Sequence, residues 1–154
     1  MRKDNIFQVI KDTPGVSYNE IVRKTNLSNG VVTHYILQLI NDGSIEKYGG
    51  GRSKYFISSI PKKDMETISI LRNQTNLSII KLLLKLEFPL PSGDISKAIN
   101  KSASTVSVSL KNLQKNSMVE RKILKKNVKL TADIGYKITN DKNVRNLLSK
   151  YNLD

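Results

Sequence analysis

Apolar residues recur three and four positions apart over Asp4–Lys11, where Ile6, Phe7 and Ile10 share one face; that period predicts an amphipathic helix. Thr13-Pro14-Gly15 ends it, because proline and glycine break helical backbone. Ser17-Tyr18-Asn19-Glu20 has the spacing of a capping box, in which the serine hydroxyl and the glutamate carboxylate each satisfy a free backbone amide. It predicts a short helix over Tyr18–Lys24 that buries Ile21 and Val22. Leu27 falls in a turn, and Ser28 caps a longer helix to Asn41, with Val32, Ile36, Leu39 and Ile40 as its buried stripe. Asp42-Gly43 closes that helix. Ser44–Tyr48 and Ser53–Ile57 are strand-like and are joined by Gly49-Gly50-Gly51 as a hairpin tip.

The same order returns. Residues 76–87 form an apolar helix through Leu77, Ile80, Leu83 and Leu84, and Pro89-Leu90-Pro91 breaks it. Ser92 or Gly93 opens a short helix to Ile99, and Ser102 caps a longer one over Ala103–Lys115 that buries Val106, Leu110 and Leu113. Met118–Leu124 and Val128–Leu130 are expected to form a hairpin around Lys125-Lys126-Asn127. The halves align without gaps at an offset of 74: Ile21 with Ile95, Asn26 with Asn100, Ser28 with Ser102, Val32 with Val106, Leu39 with Leu113, Glu46 with Glu120. Identities are few, so the repeat is one of caps, core stripe and hairpin in phase.

The expected fold class is mainly α with small β-hairpins (α+β), as two tandem winged helix-turn-helix domains. A first domain covers 1–60 and a second covers 76–154 with a C-terminal helical tail. The stretch 61–75 between them is charged and helical, with Met65, Ile68 and Leu71 spaced to share a face. In the tail, Val144, Leu147, Leu148 and Tyr151 make one apolar face, which suits packing on its own domain or pairing with a second copy. Both monomer and homodimer therefore stay open.

Charge changes the picture most. In the 154-residue chain, 26 Lys and Arg face 13 Asp and Glu, a formal net charge of +13. Such an excess points to a polyanionic partner, although a lysine-rich genome bias would also raise it. It is uneven: residues 1–60 carry eight basic and five acidic residues, residues 61–154 eighteen and eight. The chain has no Cys and a single His, His34, so thiolate and histidine-rich metal sites are excluded. No nucleotide-binding loop, catalytic triad or paired-carboxylate spacing is present, so neither an enzyme nor a cofactor is expected. No apolar run approaches the roughly 20 residues that span a bilayer, and the N-terminal residues lack the apolar core of a signal peptide. A cytoplasmic protein without membrane contact is expected.

In a helix-turn-helix the second helix enters the major groove. Here that assigns double-stranded-DNA contacts to Ser28, Asn29, Thr33, His34 and Gln38 on helix 28–41, and to Ser102, Ser104, Thr105, Ser107 and Lys111 on helix 102–115. Asn29 and Gln38 suit adenine, and Lys111 suits guanine. His34 lies off the buried stripe. Arg52 and Lys54 flank the first hairpin tip, Lys125 and Lys126 crown the second, and Lys97 and Lys101 sit beside the second turn. These cations suit phosphates, which position more than they specify.

Three groups of residues carry a resemblance. Gly15-Val16-Ser17-Tyr18-Asn19-Glu20-Ile21, Leu27-Ser28-Asn29-Gly30-Val31-Val32, Tyr35, Leu39, Gly43, Ile45, Gly51-Arg52 and Lys54-Tyr55-Phe56 form the first. Leu71-Arg72-Asn73, Ile80–Leu84, Ile95, Ser104-Thr105-Val106, Leu110 and Leu113 form the second, and Leu130-Thr131 with Gly135 the third. The first two resemble the two units of archaeal-type transcriptional regulators with tandem winged helix-turn-helix domains. The third resembles a strand-to-helix exit of the wider MarR- and ArsR-like superfamily. The resemblance implies a regulator that binds DNA through helices 28–41 and 102–115. The chain departs from the pattern at Ser107-Val108-Ser109, where a large polar or aromatic group is common, which points to a second unit held mostly by backbone contacts. An architectural DNA binder and a winged-helix adaptor of transcription or replication machinery are the competing readings.

Overall fold

Two short polar signals, a serine at the start of each long helix and an asparagine just before it, recur at the same offset and set the frame of the molecule. The computed structural model describes residues 1–49, 53–126 and 132–153. It divides into two units, Met1–Ser69 and Ile70–Asp154.

The first unit runs α1 (Arg2–Asp12), β1 (Val16–Ser17), α2 (Tyr18–Thr25), α3 (Asn29–Asn41), β2 (Ile45–Tyr48) and β3 (Lys54–Ile57). The capping box at Ser17 and Glu20 is formed, and the Ser28 hydroxyl accepts from the Val31 amide. Ile6 and Ile10 of α1, Ile21 of α2, and Val32, Ile36 and Leu39 of α3 make one buried cluster with Val16, Ile45 and Tyr55. Burying one such aliphatic side chain stabilises by about 1.5–3 kcal/mol, against about 1 kcal/mol for a cap. The core therefore decides that α3 forms, and Ser28 decides where it starts. The sheet is antiparallel in the order β1-β3-β2, with Val16 opposite Tyr55 and Ile45 opposite Ile57. β1 was not anticipated: two residues are too few to show a period of two.

α4 (Lys62–Leu71) follows in the sequence, and Met65, Ile68 and Leu71 are all buried. The second unit contains α5 (Gln74–Leu84), α6 (Ser92–Ile99), α7 (Ala103–Lys115), β4 (Val119–Lys126), β5 (Ala132–Ile138) and α8 (Asp141–Lys150). α5 begins two residues earlier than its apolar pattern suggests, because the Asn73 side chain caps it at the Asn76 amide. Ile79, Ile80, Leu83, Ile95, Val106, Leu110 and Leu113 are buried. In α8, Leu148 is buried and Val144 and Leu147 are half-buried, and the Arg145 guanidinium donates to the Leu84 carbonyl of α5. α8 thus packs on its own unit.

The sequence repeat is also a repeat of geometry. α2 and α6, and α3 and α7, have equal lengths and start 74 positions apart. Asn26 and Asn100 both adopt left-handed backbone, with φ 57° and 56°. After α3, the Ser44 amide reaches back to the Leu39 carbonyl at 2.9 Å; after α7, Met118 reaches Leu113 at 2.9 Å. Each closes its helix with a six-to-one bond over a positive-φ residue, Gly43 or Ser117. The Leu90–Tyr136 bridge occupies the place that Val16 and Tyr55 occupy in the first unit.

The second hairpin differs from expectation. Its outgoing strand extends to Lys126, and the strand paired with it is Ala132–Ile138; the expected strand Val128–Leu130 lies outside the described residues. Lys125 pairs in register with Asp133, and Lys126 with Ala132, so both are strand residues, not a turn. Asn127 lies outside the described residues. The alternation Ile134, Tyr136, Ile138 is the period-two signal of β5. It was hidden by Thr131–Asp133, which reads equally as the entry to a helix.

Candidate nucleic-acid interface

α3 and α7 each turn one face into a core and leave the other in water. Successive residues on a helix are about 100° apart. Measured from Val32, His34 lies about 200° around α3, opposite the buried stripe, and Leu37, Gln38 and Asn41 surround that outward line. Asn29, Thr33, His34 and Gln38 are exposed, as are Ser104, Thr105, Ser107 and Lys111. Neither α3 nor α7 carries an acidic residue. A phosphate backbone therefore meets no repulsion from either helix.

Within unit one, Tyr18 fixes the flank of α3. Its hydroxyl donates to the Asn29 carbonyl at 2.8 Å and lies 2.9 Å from Thr33 Oγ1. A phenol has one proton, so Thr33 donates to Tyr18 Oη. Thr33 is thereby held toward α2, and one of its acceptor positions remains open outward. Sequence reasoning passed over Tyr18, since inside a capping box it reads as a helix-start residue; only the α2–α3 packing brings it to Thr33.

His34 Nε2 and Gln38 Nε2 are 3.1 Å apart. The amide nitrogen can only donate, so His34 accepts at Nε2 and carries its proton on Nδ1. Gln38 keeps its carbonyl oxygen and one N–H, the donor–acceptor pair that adenine requires. The His34 ring also packs edge-on to Tyr35, centroids 5.0 Å apart. These contacts order two long side chains before any ligand arrives, which lowers the entropy lost on binding.

Two predicted contact residues have structural duties. Ser28 Oγ accepts from the Val31 amide at 3.4 Å, and Ser102 Oγ accepts from Thr105 at 3.2 Å while donating to Thr105 Oγ1 at 2.8 Å. Each hydroxyl thus helps to start its helix. Lys97 and Lys101 are exposed at the α6–α7 turn. Lys54 is half-buried at the start of β3, opposite Tyr48 and Ser17 in register. Arg52 lies outside the described residues, as do the side chains of Lys125 and Lys126. Lower on the same hairpin, Arg121 and Lys122 are exposed, and Glu120 pairs with Lys122 at 3.3 Å and Lys137 at 3.9 Å. Exposed pairs of this kind contribute at most about 1 kcal/mol. No helix among the described residues is long and apolar enough to cross a membrane.

Comparison with known proteins divides the chain at the same place as its structure. A family model described as an N-terminal HTH (helix-turn-helix) domain matches residues 1–68, and that of the bacterial regulatory proteins of the arsR family matches residues 73–121. None of the curated proteins compared matches the chain. Among solved structures, a possible transcriptional regulator from Methanosarcina mazei Go1 is 19% identical, with TM-score 0.47 over 70% of this chain and 86% of that one. A conserved hypothetical protein from Chlorobium tepidum is 11% identical, with TM-score 0.35 over 98% and 95%. ScpB from Mycobacterium tuberculosis is 12% identical, with TM-score 0.35 over 94% and 96%. The chain thus carries two helix-turn-helix domains in tandem, the first matching the N-terminal HTH model and the second the arsR-family model, which is the make-up of a DNA-binding regulator.

Proposed function

We propose that the protein is a double-stranded-DNA-binding transcriptional regulator built from two winged helix-turn-helix units, with α3 and α7 as recognition helices. The observation that carries this reading is the repeat of geometry. Two helix–turn–helix elements share the same lengths, the same left-handed asparagine and the same serine cap, and each presents an outward face free of acids. A single structural core would not require that both outward faces be kept free of carboxylates.

On this reading the domains cover residues 1–60 and 76–154, and 61–75 links them. Thr33, His34 and Gln38 read base edges in the first unit, with Asn29 at the helix start. Lys97, Lys101, Arg52, Lys54, Lys125 and Lys126 contact phosphates, and Ser104, Ser107 and Lys111 face the groove in the second unit. No catalytic step and no cofactor are part of the proposal, and its site of action is the cytoplasm.

The test is fluorescence anisotropy of the full chain with a random-sequence duplex, and with duplexes recovered by selection, across a salt series. The proposal expects a steep fall of affinity with salt and a recovered motif bound at least about 1,000-fold more tightly than random sequence. The same salt slope without enrichment would replace it with an architectural binder. No binding at low salt would leave a protein-docking module.

A further inference from the structure

The two outward faces are not chemically alike. At the position in α7 that matches His34 in α3 stands Val108. Val106 is fully buried, and Val108, about 200° further around the helix, is 70% exposed. It therefore projects directly away from the core, from the N-terminal half of α7, the half that meets base edges in helix-turn-helix proteins. Its exposed neighbours are Ser104, Ser107 and Lys111. The two serines are short enough to let the helix approach closely. They leave Val108 as the projecting group, and Lys111 stands one turn further along. In the first unit the comparable exposed apolar residue, Leu37, lies in the C-terminal half of α3, behind the ordered His34–Gln38 pair.

A β-branched apolar side chain at the centre of a groove-facing surface cannot read hydrogen-bonding edges. The apolar group that base pairs present in the major groove is the C5-methyl of thymine. We propose that Val108 is a specificity-determining residue of the second unit and recognises a thymine methyl group. The inference rests on the DNA-binding reading given above and assigns base recognition to a helix whose Ser107-Val108-Ser109 stretch otherwise points to backbone binding alone.

The experiment uses the full chain and the duplex recovered by selection, prepared once with thymine and once with every thymine replaced by uracil, which differs by that methyl alone. Burial of one methyl group predicts binding about fourfold weaker to the uracil duplex. Val108→Ala should bind the thymine duplex about fourfold more weakly than the parent, match it on the uracil duplex, and no longer distinguish the two. Because Val108 is exposed, the variant should melt as the parent does; a lowered melting temperature would mean that Val108 serves the fold and would count against the proposal. Equal binding of both duplexes by the parent would overturn the proposal while leaving DNA binding intact, as would discrimination that survives in Val108→Ala or a recovered motif without thymine. Failure to bind any duplex would overturn the DNA-binding reading itself.

Discussion

Asn26 and Asn100 offer the sharpest test of how the two turns are held. Each ends a helix in left-handed backbone, at φ 57°, ψ 29° and φ 56°, ψ 51°, and each is followed two residues later by the serine that caps the next helix. Left-handed backbone costs an ordinary L-residue about 1–2 kcal/mol, because Cβ crowds the following carbonyl oxygen; asparagine is partly relieved by local hydrogen bonding, and glycine is free of the penalty. Replacing either asparagine by alanine should therefore destabilise by about 1 kcal/mol, and by valine, whose branch worsens the crowding, about 2 kcal/mol. Glycine should stay within about 0.5 kcal/mol of asparagine, since its relief of strain is offset by the freedom it adds to the unfolded chain. Urea denaturation followed by far-UV circular dichroism would measure the series, and 1 kcal/mol corresponds to roughly 4–8 °C in Tm for units of this size. Gln114, exposed on α7, supplies the control: there the order should reverse, alanine being more stable than glycine by about 1 kcal/mol. If alanine matched or exceeded glycine at both asparagines, the left-handed turn would not be what holds α2 to α3 and α6 to α7.

Four further outcomes are expected. An alanine Cβ at Gly135 would lie 2.7 Å from Pro89 Cβ, 3.0 Å from the Pro89 carbonyl carbon and 3.1 Å from Leu124 Cδ1; Leu124 can swing away but the proline cannot, so Gly135→Ala should cost about 1–3 kcal/mol by urea titration. Burial, and then the neighbouring Tyr18, hold the Tyr55 phenol above its ordinary value of 10.0, so its contribution to stability is complete below that value and is lost as pH rises through the folded-state value; Tyr55→Phe should show a smaller alkaline loss of stability than the parent. Changing Lys125 and Lys126 to glutamine should weaken binding to all duplexes alike and reduce the log–log salt slope by about 1.8, or 0.9 per phosphate, whereas Gln38→Ala should shift sequence preference and leave the slope in place.

Much of this fold is legible in the residue order because local signals and core pattern agree. Ser17 with Glu20, Ser28 and Ser102 mark helix starts through hydrogen bonds made within three residues, and Val32, Ile36 and Leu39 mark the face that must leave water. The features that escaped are those made at a distance. β1 exists because Val16 finds Tyr55, and the hydroxyl of the exposed Thr33 is oriented by Tyr18, fifteen residues away. β5 was obscured by a polar stretch that suits strand and helix entry equally. The outward faces were legible as exposed positions, yet their chemistry was not: the His34–Gln38 pairing and the 70% exposure of Val108 depend on side-chain placement, and residue order alone does not set it.

The most direct test of the central claim is the amide NMR spectrum of the labelled chain titrated with the selected duplex. The account predicts that the largest shifts map to two stretches, Ser28–Gln38 and Ser102–Asn112, with smaller ones along β4. Shifts confined to a single unit would contradict a two-helix reader, and shifts that avoid α3 and α7 altogether would contradict DNA recognition by these helices.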